Sequence, residues 1–327
     1  MPQVVHSMIR EELTDRRRKL EVAVASTGQN AELARLLSEV DGALHRLEEG
    51  TYGLCETCHD PIEKDRLIAD PLARFCLDHL TSSEQKALEE DLDLASRIQR
   101  GLLPPTSVSH RGWEVAFHYE PLGPVSGDYC DVLPQEDGRL FFALGDASGK
   151  GVAASMLMAH LNAMFRTLIP LDLPLEEMLE RASRVFCEST LPTHYATLAC
   201  GWARPGGEVI LCSAGHPPSI LVHGGCASEV SGRGLPLGLF CQESFKPVNV
   251  TLEPGDTLLL YSDGLTEARN AEGEEFGRER LRALAEASAG LSPADLLSSC
   301  IRGSRAHQEG TPRTDDLTVM ALRRFPA

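Results

Sequence analysis

Four short acidic motifs, each at the end of a predicted strand, constrain the fold of this 327-residue chain more than any other feature. They are GDYCD at 127–131, GDASGKG at 145–151, SDGLTEA at 262–268 and TDD at 314–316. Aspartates that converge from separate strands form an all-oxygen pocket, which suits hard divalent cations such as Mg²⁺ or Mn²⁺. Two such cations that share a bridging carboxylate can generate a hydroxide and hydrolyse a phosphate ester. The motifs therefore predict a metal-dependent enzyme.

Charge and hydropathy exclude several other classes of protein. A hydrophobic content of 42% predicts a globular chain, and its length allows about two domains. The net charge of −17 argues against broad nucleic-acid binding, although residues 16–19 form a local basic patch. No apolar run reaches about 18 residues, and the first residues are charged where a signal peptide is apolar. We expect a cytoplasmic protein with no membrane partner.

The pattern of apolar residues from position 113 onward predicts short strands interrupted by helices. Strands that are grouped at both ends, with helices inserted between them, favour an α+β layered sandwich over a regular βαβ alternation. The predicted strands are 113–120, 128–134, 139–145, 194–203, 207–213, 218–223, 247–252, 256–262 and 317–323, and the predicted helices are 150–168, 175–190, 276–289 and 292–304.

The first hundred residues have a helical pattern. Segments 4–25 and 29–49 predict two helices, and a leucine and valine seam from Leu33 to Leu47 indicates that they form an intramolecular hairpin. A further helix, 82–103, ends at Pro104 and Pro105. It connects two predicted domains, so that the chain divides into 1–80, 81–105 and 106–327. Its apolar stripe predicts a homodimer or packing within the chain, and comprises Leu88, Leu92, Ala95, Ile98 and Leu102.

Three cysteines and a histidine have the spacing of a structural zinc site. Cys55-x-x-Cys58 is followed after seventeen residues by Cys76-x-x-His79. Soft thiolates select zinc, and the metal stabilises a segment too small to form its own core. A coincidental set of reduced cysteines is the alternative, and His59 competes with His79 as the fourth ligand. The other seven cysteines are interpreted mainly as reduced, small, buried side chains.

The cysteine-containing segment 51–80, here called the zinc knuckle, and the sequence around it resemble the DksA/TraR zinc-finger family, over about residues 8–90. The most specific segments are EEGTYGLCETC and RLIADPLARFC. Members of that family bind RNA polymerase, and the longer ones insert an acidic coiled-coil tip into it. The corresponding tip here, residues 25–30, has no aspartate. The resemblance therefore implies the zinc ligands, and RNA polymerase is not favoured as a partner.

Five motifs in order resemble the metal-dependent protein phosphatases (PPM), in the SpoIIE/RsbU-like branch, over about residues 90–325. They are GDYCD, GDASGKG, CSAGHPP at 212–218, YSDGLTEARN and TDDLTVMAL. The segment LASRIQRGLLPP resembles the connector that precedes these domains. The resemblance implies a PPM-type β-sandwich flanked by helices, and two catalytic Mn²⁺ or Mg²⁺ ions.

The same resemblance assigns the catalytic and metal-binding residues. Asp146 would bridge the two ions, and the carbonyl of Ala147 would be a further ligand. Asp263 and Asp315 would hold one ion, and Asp128 would act directly or through water. A metal-bridged hydroxide would then attack phosphorus without a covalent enzyme intermediate.

Four neighbouring residues have less certain roles in this scheme. Asp131 is expected to support the site, and Asp316 is not expected to bind metal. Lys150 has an ordinary interpretation as an exposed charge at a helix start. His216 is more simply interpreted as a structural turn residue than as a general acid.

These expectations combine into a cytoplasmic serine/threonine phosphatase with a zinc module. By resemblance, its substrate would be a phosphoserine or phosphothreonine on a bacterial signalling protein, such as an anti-sigma-factor antagonist. One alternative is a DksA-like regulator of RNA polymerase with an accessory phosphatase domain. Another is a catalytically inactive phosphatase fold used as a scaffold, which the repulsive cluster of aspartates argues against.

Overall fold

The computed structural model describes residues 3–27, 31–76, 82–232 and 234–325. The chain forms two compact units, Met1–Arg97 and Ile98–Ala327, here called the N-terminal and C-terminal units. The division falls inside the helix that the sequence predicts as a connector. The three-part domain division at 80/81 and 105/106 stays a prediction.

The N-terminal unit contains a helical hairpin followed by a knuckle. Helices α1 (Gln3–Thr27) and α2 (Ala31–Glu49) pack against each other, and a short helix α3 (Lys64–Ala69) lies within the knuckle. The predicted seam from Leu33 to Leu47 is confirmed, because Leu33, Val40 and Leu47 are buried. Hairpin and knuckle form one core, which includes Ile9, Leu13, Tyr52, Cys55, Ile62, Leu67 and Cys76.

The remaining elements follow helix α4 (Ser82–Leu102), whose last residues belong to the C-terminal unit. The strands are β1 (Ser107–His110), β2 (Trp113–Glu120), β3 (Asp128–Pro134), β4 (Leu140–Ala147), β5 (Ala196–Ala203), β6 (Glu208–Ala214), β7 (Ser219–His223), β8 (Cys226–Val230), β9 (Val248–Thr251), β10 (Thr257–Tyr261) and β11 (Leu317–Arg324). The helices are α5 (Gly151–Leu168), α6 (Leu175–Ser189), α7 (Asp263–Thr266), α8 (Gly277–Ala287) and α9 (Pro293–His307).

Two antiparallel sheets form the centre of the C-terminal unit. The first sheet has six strands in the order β1-β2-β11-β10-β7-β8, and the second has five in the order β3-β4-β5-β6-β9. Helices α5 and α6 cover the five-stranded sheet, and α8 and α9 cover the six-stranded sheet. The expected α+β sandwich flanked by helices is therefore confirmed.

Side-chain alternation explains why the central strands are almost entirely apolar. In β4, Leu140, Phe142 and Leu144 face the core between the sheets. Phe141 and Ala143 face the helices α5 and α6. Because both faces of the strand are buried, successive residues must be apolar, and a continuous hydrophobic run results.

The structure differs from the sequence prediction in several local features. Strands β1 and β8 were not predicted, because both are short and largely exposed at sheet edges. Helices α3 and α7 were also missed, since six and four residues are too few for a periodic signal. The apolar side chain of Met156 on α5 is 68% exposed.

Two of the seven remaining cysteines depart from the expectation that these side chains are mainly reduced. Cys187 at the end of α6 forms a disulfide with Cys241, with 5.4 Å between their Cα atoms. The other eight cysteines are free thiols. The 54-residue separation of the pair gives no local signal, so the contact depends on tertiary structure.

The apolar helix α5 has the length and composition of a possible membrane span. Among the described helices, only the segment 151–171 passes that test. Its residues Met158, Leu161 and Phe165 are buried in the core against the five-stranded sheet. This packing is that of a core helix of the C-terminal unit.

Candidate metal centre

The predicted aspartates lie at neighbouring strand ends of both sheets. Asp128 begins β3 and faces Asp146 on β4 in the antiparallel register. Asp263 follows β10 and begins the short helix α7. Asp315 lies two residues before β11, the neighbour of β10. Because β10 and β11 are adjacent, Asp263 and Asp315 approach each other from one sheet, and Asp128 and Asp146 come from the other.

Two glycines allow this close approach. A Cβ on Gly127 would lie 3.3 Å from Asp146 Oδ1 and 3.0 Å from the Ala147 carbonyl oxygen. A Cβ on Gly264 would overlap the Asp316 carbonyl oxygen, at 1.9 Å. Both glycines are therefore needed so that the backbone can pass beside the carboxylates.

Asp128 is anchored by hydroxyl groups from the opposite sheet. Its Oδ2 accepts hydrogen bonds from Ser262 Oγ at 3.0 Å and from Thr318 Oγ1 at 2.5 Å. Ser262 Oγ also accepts from the Thr318 backbone N–H. Asp128 is only 1% exposed, so this carboxylate joins the two sheets in the interior. Sequence reasoning assigned no role to Ser262 or Thr318, although both lie within or beside the acidic motifs.

The charges of the carboxylates in this cluster raise one another's pKa values. Burial, followed by the charge of Asp316, raises the pKa of Asp128 well above its ordinary value. Burial and the charge of Asp128 do the same to the pKa of Asp146. Burial and the charge of Asp315 raise the pKa of Asp263 to about 6. Carboxylates with raised pKa values require either protons or cations for charge balance.

Lys150 is part of this cluster, and its interpretation as an ordinary exposed charge is wrong. Its Nζ lies 3.1 Å from Asp315 Oδ2, and its side chain is 19% exposed. Nζ also donates a hydrogen bond of 2.7 Å to the Thr314 carbonyl oxygen. The partners lie 164 residues apart, so no local pattern could have predicted the contact.

Asp316 holds the loop before β3. Its Oδ1 accepts from the Leu122 N–H at 2.6 Å, and its Oδ2 accepts from the Gly127 N–H at 3.0 Å. Both carboxylate oxygens therefore have backbone partners. This arrangement supports the interpretation of Asp316 as a positioning residue.

Asp131 does not support the cluster as expected. Both of its oxygens accept from the Arg166 guanidinium of α5 at 2.8 Å. Asp131 and Asp128 are three residues apart on β3, so strand alternation directs their side chains to opposite faces. Asp131 thus fixes α5 against β3.

His216 is buried between the two sheets. Its Nδ1 lies 3.0 Å from Thr197 Oγ1, and Thr197 pairs with Asp146 in the β4–β5 register. Burial lowers the pKa of His216 to about 3, so the ring is neutral at pH 7. These surroundings agree with the structural interpretation of this histidine.

The three knuckle cysteines converge as the spacing predicts. The sulfur atoms of Cys55, Cys58 and Cys76 all lie within 4.8 Å of one another. Burial opposes the Cys55 thiolate, but hydrogen bonds from the backbone of Cys58, Cys76 and Thr57 lower the pKa of Cys55 to about 6. A thiolate among neighbouring thiols suits a soft metal ion. The predicted fourth ligand, His79, lies outside the described residues.

Both donor sets fit the metals predicted from the sequence. The carboxylates of Asp128, Asp146, Asp263 and Asp315 offer hard oxygen ligands. The buried like charges explain why a divalent cation would be favourable there. The three sulfurs offer the soft ligands of a structural zinc site.

A pair of antiparallel sheets between helix layers, with carboxylates at one end of the sandwich, defines a PP2C-like fold. The chain belongs to the family described as Stage II sporulation protein E (SpoIIE), whose model matches residues 136–325. The matched range includes Asp146, Asp263 and Asp315. Residues 50–78 match the model described as prokaryotic dksA/traR C4-type zinc finger. The two family resemblances inferred from the sequence are confirmed.

Individual relatives agree with the family assignment. The chain is 26% identical over 265 residues to Protein IcfG of Synechocystis sp. (strain ATCC 27184 / PCC 6803 / Kazusa), covering 72% of this chain but only 41% of that protein. It is 24% identical to Phosphoserine phosphatase RsbU of Bacillus subtilis (strain 168), covering 73% of this chain and 72% of RsbU.

A solved structure supports the same fold. The RsbU and RsbW domains of Rv1364c from Mycobacterium tuberculosis superpose with a TM-score of 0.58 at 29% identity. The match covers 67% of this chain and 62% of that one.

Proposed function

We propose that this protein is a metal-dependent serine/threonine protein phosphatase. The observation that carries the proposal is the meeting of Asp128 and Asp146 from one sheet with Asp263 and Asp315 from the other. Burial and the charge of Asp128 raise the pKa of Asp146, so its carboxylate would be stabilised by a nearby cation. Membership of the SpoIIE family and similarity to a protein named as a phosphoserine phosphatase support this activity.

Each residue has a distinct task in the proposed reaction. Asp146 and the Ala147 carbonyl, with Asp128, Asp263 and Asp315, would hold two Mn²⁺ or Mg²⁺ ions. Bound there, the cations would supply an activated water and neutralise the phosphoryl oxygens.

The protein groups around these ligands limit their movement. Ser262 and Thr318 hold one oxygen of Asp128, so its carboxylate is oriented before any ligand binds. Asp316 holds the backbone of Leu122 and Gly127, and so fixes the loop beside Asp146. Such prior orientation reduces the reorganisation required in the transition state.

The proposed substrate is a phosphoserine or phosphothreonine on a bacterial signalling protein, for example an anti-sigma-factor antagonist. The similarity to RsbU supports the class of substrate. The eight free thiols support a reducing, cytoplasmic location. The Cys187–Cys241 disulfide is the exception to that argument.

The zinc module and the connector helix complete the proposal. Cys55, Cys58, Cys76 and His79 would bind one structural Zn²⁺, supported by the convergence of the three sulfurs. We also propose a homodimer formed through α4. Leu88 is 40% exposed and Ile98 is 60% exposed, which leaves part of the predicted stripe available to a second copy.

The decisive experiment measures hydrolysis of an aryl phosphate by the full-length protein after removal of metal with EDTA. We expect activity only when Mn²⁺ or Mg²⁺ is added back. Asp146→Asn should reduce the rate by at least about 100-fold, because it removes a central ligand. Glu272→Gln, which changes an exposed acid, is the matched control.

Two results would contradict the proposal. One is full activity of folded Asp146→Asn, and the other is a wild-type rate that does not depend on divalent metal. Peptides carrying phosphoserine, phosphothreonine or phosphotyrosine then test the substrate class. Preference for phosphotyrosine would overturn the serine/threonine assignment.

A further inference from the structure

Lys150 is placed by an unusual backbone between two glycines. Gly149 has φ +97° and Gly151 has φ +69°, conformations that residues with a side chain rarely adopt. A Cβ at either glycine meets no atom within 4 Å, so the glycines are explained by backbone conformation and not by crowding. The two glycines direct the chain so that Lys150 precedes α5 and reaches Thr314 and Asp315.

The ammonium group of Lys150 lies among carboxylates that are predicted metal ligands. It contacts Asp315 Oδ2 at 3.1 Å, and its charge also acts on Asp263, where it opposes the raised pKa. The salt bridges of Arg313 and Arg166 in the described chain are made instead to Glu120 and Asp131. Lys150 therefore supplies positive charge at the Asp263–Asp315 side of the cluster.

We propose that the Lys150 ammonium group balances the charge of the carboxylate cluster beside Asp263 and Asp315 when no metal is bound there. A divalent ion that binds Asp315 must then displace this ammonium group. The inference rests on the metal centre of the proposed function and assigns a role to a residue outside the ligand set. The ammonium stabilises the metal-free centre, because it balances the charge of the partly exposed Asp315 beside several buried carboxylates. It weakens metal binding at this side, because two cations cannot share Asp315 Oδ2 without repulsion.

The two predicted metal positions consequently differ in affinity. The position at Asp146 and Asp128 lacks a comparable ion pair among the described contacts, and should bind its cation more tightly. The position at Asp315 should fill only at higher metal concentration. Lys150 thereby sets the concentration at which the centre is completed.

The test is a calorimetric titration of the metal-free, full-length protein with Mn²⁺, in the absence of any phosphate ester. Lys150→Met retains most of the side-chain length without the charge. We expect the weaker Mn²⁺ dissociation constant to fall by about tenfold, the scale of one like-charge contact at a partly exposed site. The tighter constant should stay unchanged. Lys150→Arg keeps the charge and should retain weak binding, and Lys246→Met changes an exposed lysine as a control.

A second measurement follows thermal unfolding in EDTA and in saturating Mn²⁺. The melting temperature of Lys150→Met should be lower than that of wild type in EDTA, and Mn²⁺ should raise it further than it raises that of wild type. This comparison separates a metal effect from a general loss of stability, which would lower both melting temperatures equally.

Unchanged Mn²⁺ constants in folded Lys150→Met would overturn the inference. If inorganic phosphate also inhibits Lys150→Met less than wild type while the Mn²⁺ constants are unchanged, Lys150 is a phosphate ligand and the inference is overturned. Because the titration contains no substrate, it tests metal binding separately from catalysis. The inference about Lys150 can therefore fail even if the protein is an active phosphatase. It can also hold in a protein that binds Mn²⁺ but hydrolyses nothing, which would refute only the proposed function.

Discussion

The side-chain amide of Gln99 pairs with both backbone polar groups of Ser126. Its Nε2 donates to the Ser126 carbonyl at 2.7 Å, and its Oε1 accepts from the Ser126 N–H at 3.0 Å. Tyr119 donates its hydroxyl to the same Oε1. Ser126 in turn accepts from the Asp128 N–H through its Oγ. The end of α4 is therefore hydrogen-bonded to the loop that carries a predicted metal ligand.

Replacing Gln99 tests this connection. Gln99→Ala leaves two buried backbone groups without their partner, and should lower the free energy of unfolding by about 2 kcal/mol. It should also reduce phosphatase activity, because the loop before Asp128 loses its support. Urea unfolding and aryl phosphate hydrolysis measure the two effects. Arg100→Ala, an exposed neighbour on the same helix, should change neither.

The two aspartates of GDYCD should respond differently to the same substitution. Asp128→Asn should weaken Mn²⁺ binding, whereas Asp131→Asn should leave it unchanged, since Asp131 pairs with Arg166. Asp131→Asn should instead lower the free energy of unfolding by about 2 kcal/mol, because it weakens the hydrogen bonds of the buried Asp131 carboxylate to the partly exposed Arg166. Mn²⁺ titration and urea unfolding of both variants make the comparison. Equal loss of metal affinity in the two would contradict the opposite-face arrangement.

The thiol cluster should contain one tightly bound zinc per chain. Protein purified without added metal should show this zinc by elemental analysis, because three sulfurs within 4.8 Å favour a soft ion. The double variant Cys55→Ser, Cys76→Ser should lose it. Cys226→Ser, at an exposed free cysteine, should retain it. Zinc that persists in the double variant would refute these ligands.

Burial of His216 predicts a loss of stability in acid. Because burial lowers its folded pKa from 6.5 to about 3, the folded state binds fewer protons than the unfolded state. The contribution of neutral, buried His216 to the free energy of unfolding is fully present above about pH 6.5. It decreases as the pH falls toward 3. The loss by pH 5 should be about 2 kcal/mol.

Urea unfolding at pH 7 and pH 5 measures this loss. His216→Gln should reduce the difference between the two pH values. His223→Gln is the control, because Asp256 raises the pKa of His223 and the sign is opposite. An unaltered pH dependence in His216→Gln would show that this histidine is not the titrating group.

The α4 stripe predicts the state of association. The double variant Leu92→Lys, Ile98→Lys would place charges in the proposed seam, and light scattering should then report a single chain. Asp91→Lys adds a charge at an exposed position of the same helix and should leave a dimer intact. A wild-type protein that is monomeric at micromolar concentration would rule out this interface. The stripe would then pack within its own chain.

Much of the fold follows from local sequence pattern. Strand β3 has the predicted limits, and β4 was placed within two residues. The sequence of β4 is largely a continuous apolar run, as expected for a strand buried on both faces. The acidic motifs could be found for a related reason. Aspartate beside glycine at the end of an apolar run interrupts the hydrophobic pattern, so the combination is visible without tertiary structure.

The charge balance of the site, in contrast, depends on tertiary structure. Lys150 and Asp315 meet across 165 positions of the chain, and Cys187 and Cys241 meet across 54. Ser262 follows a strand of the six-stranded sheet, whereas Asp128 begins a strand of the five-stranded sheet. Local periodicity specifies which face of an element is apolar, but not which distant polar group will approach it. The sequence by itself thus determined the strands and the carboxylates, and the packing of the two sheets decided which hydroxyls, amides and ammonium group surround them.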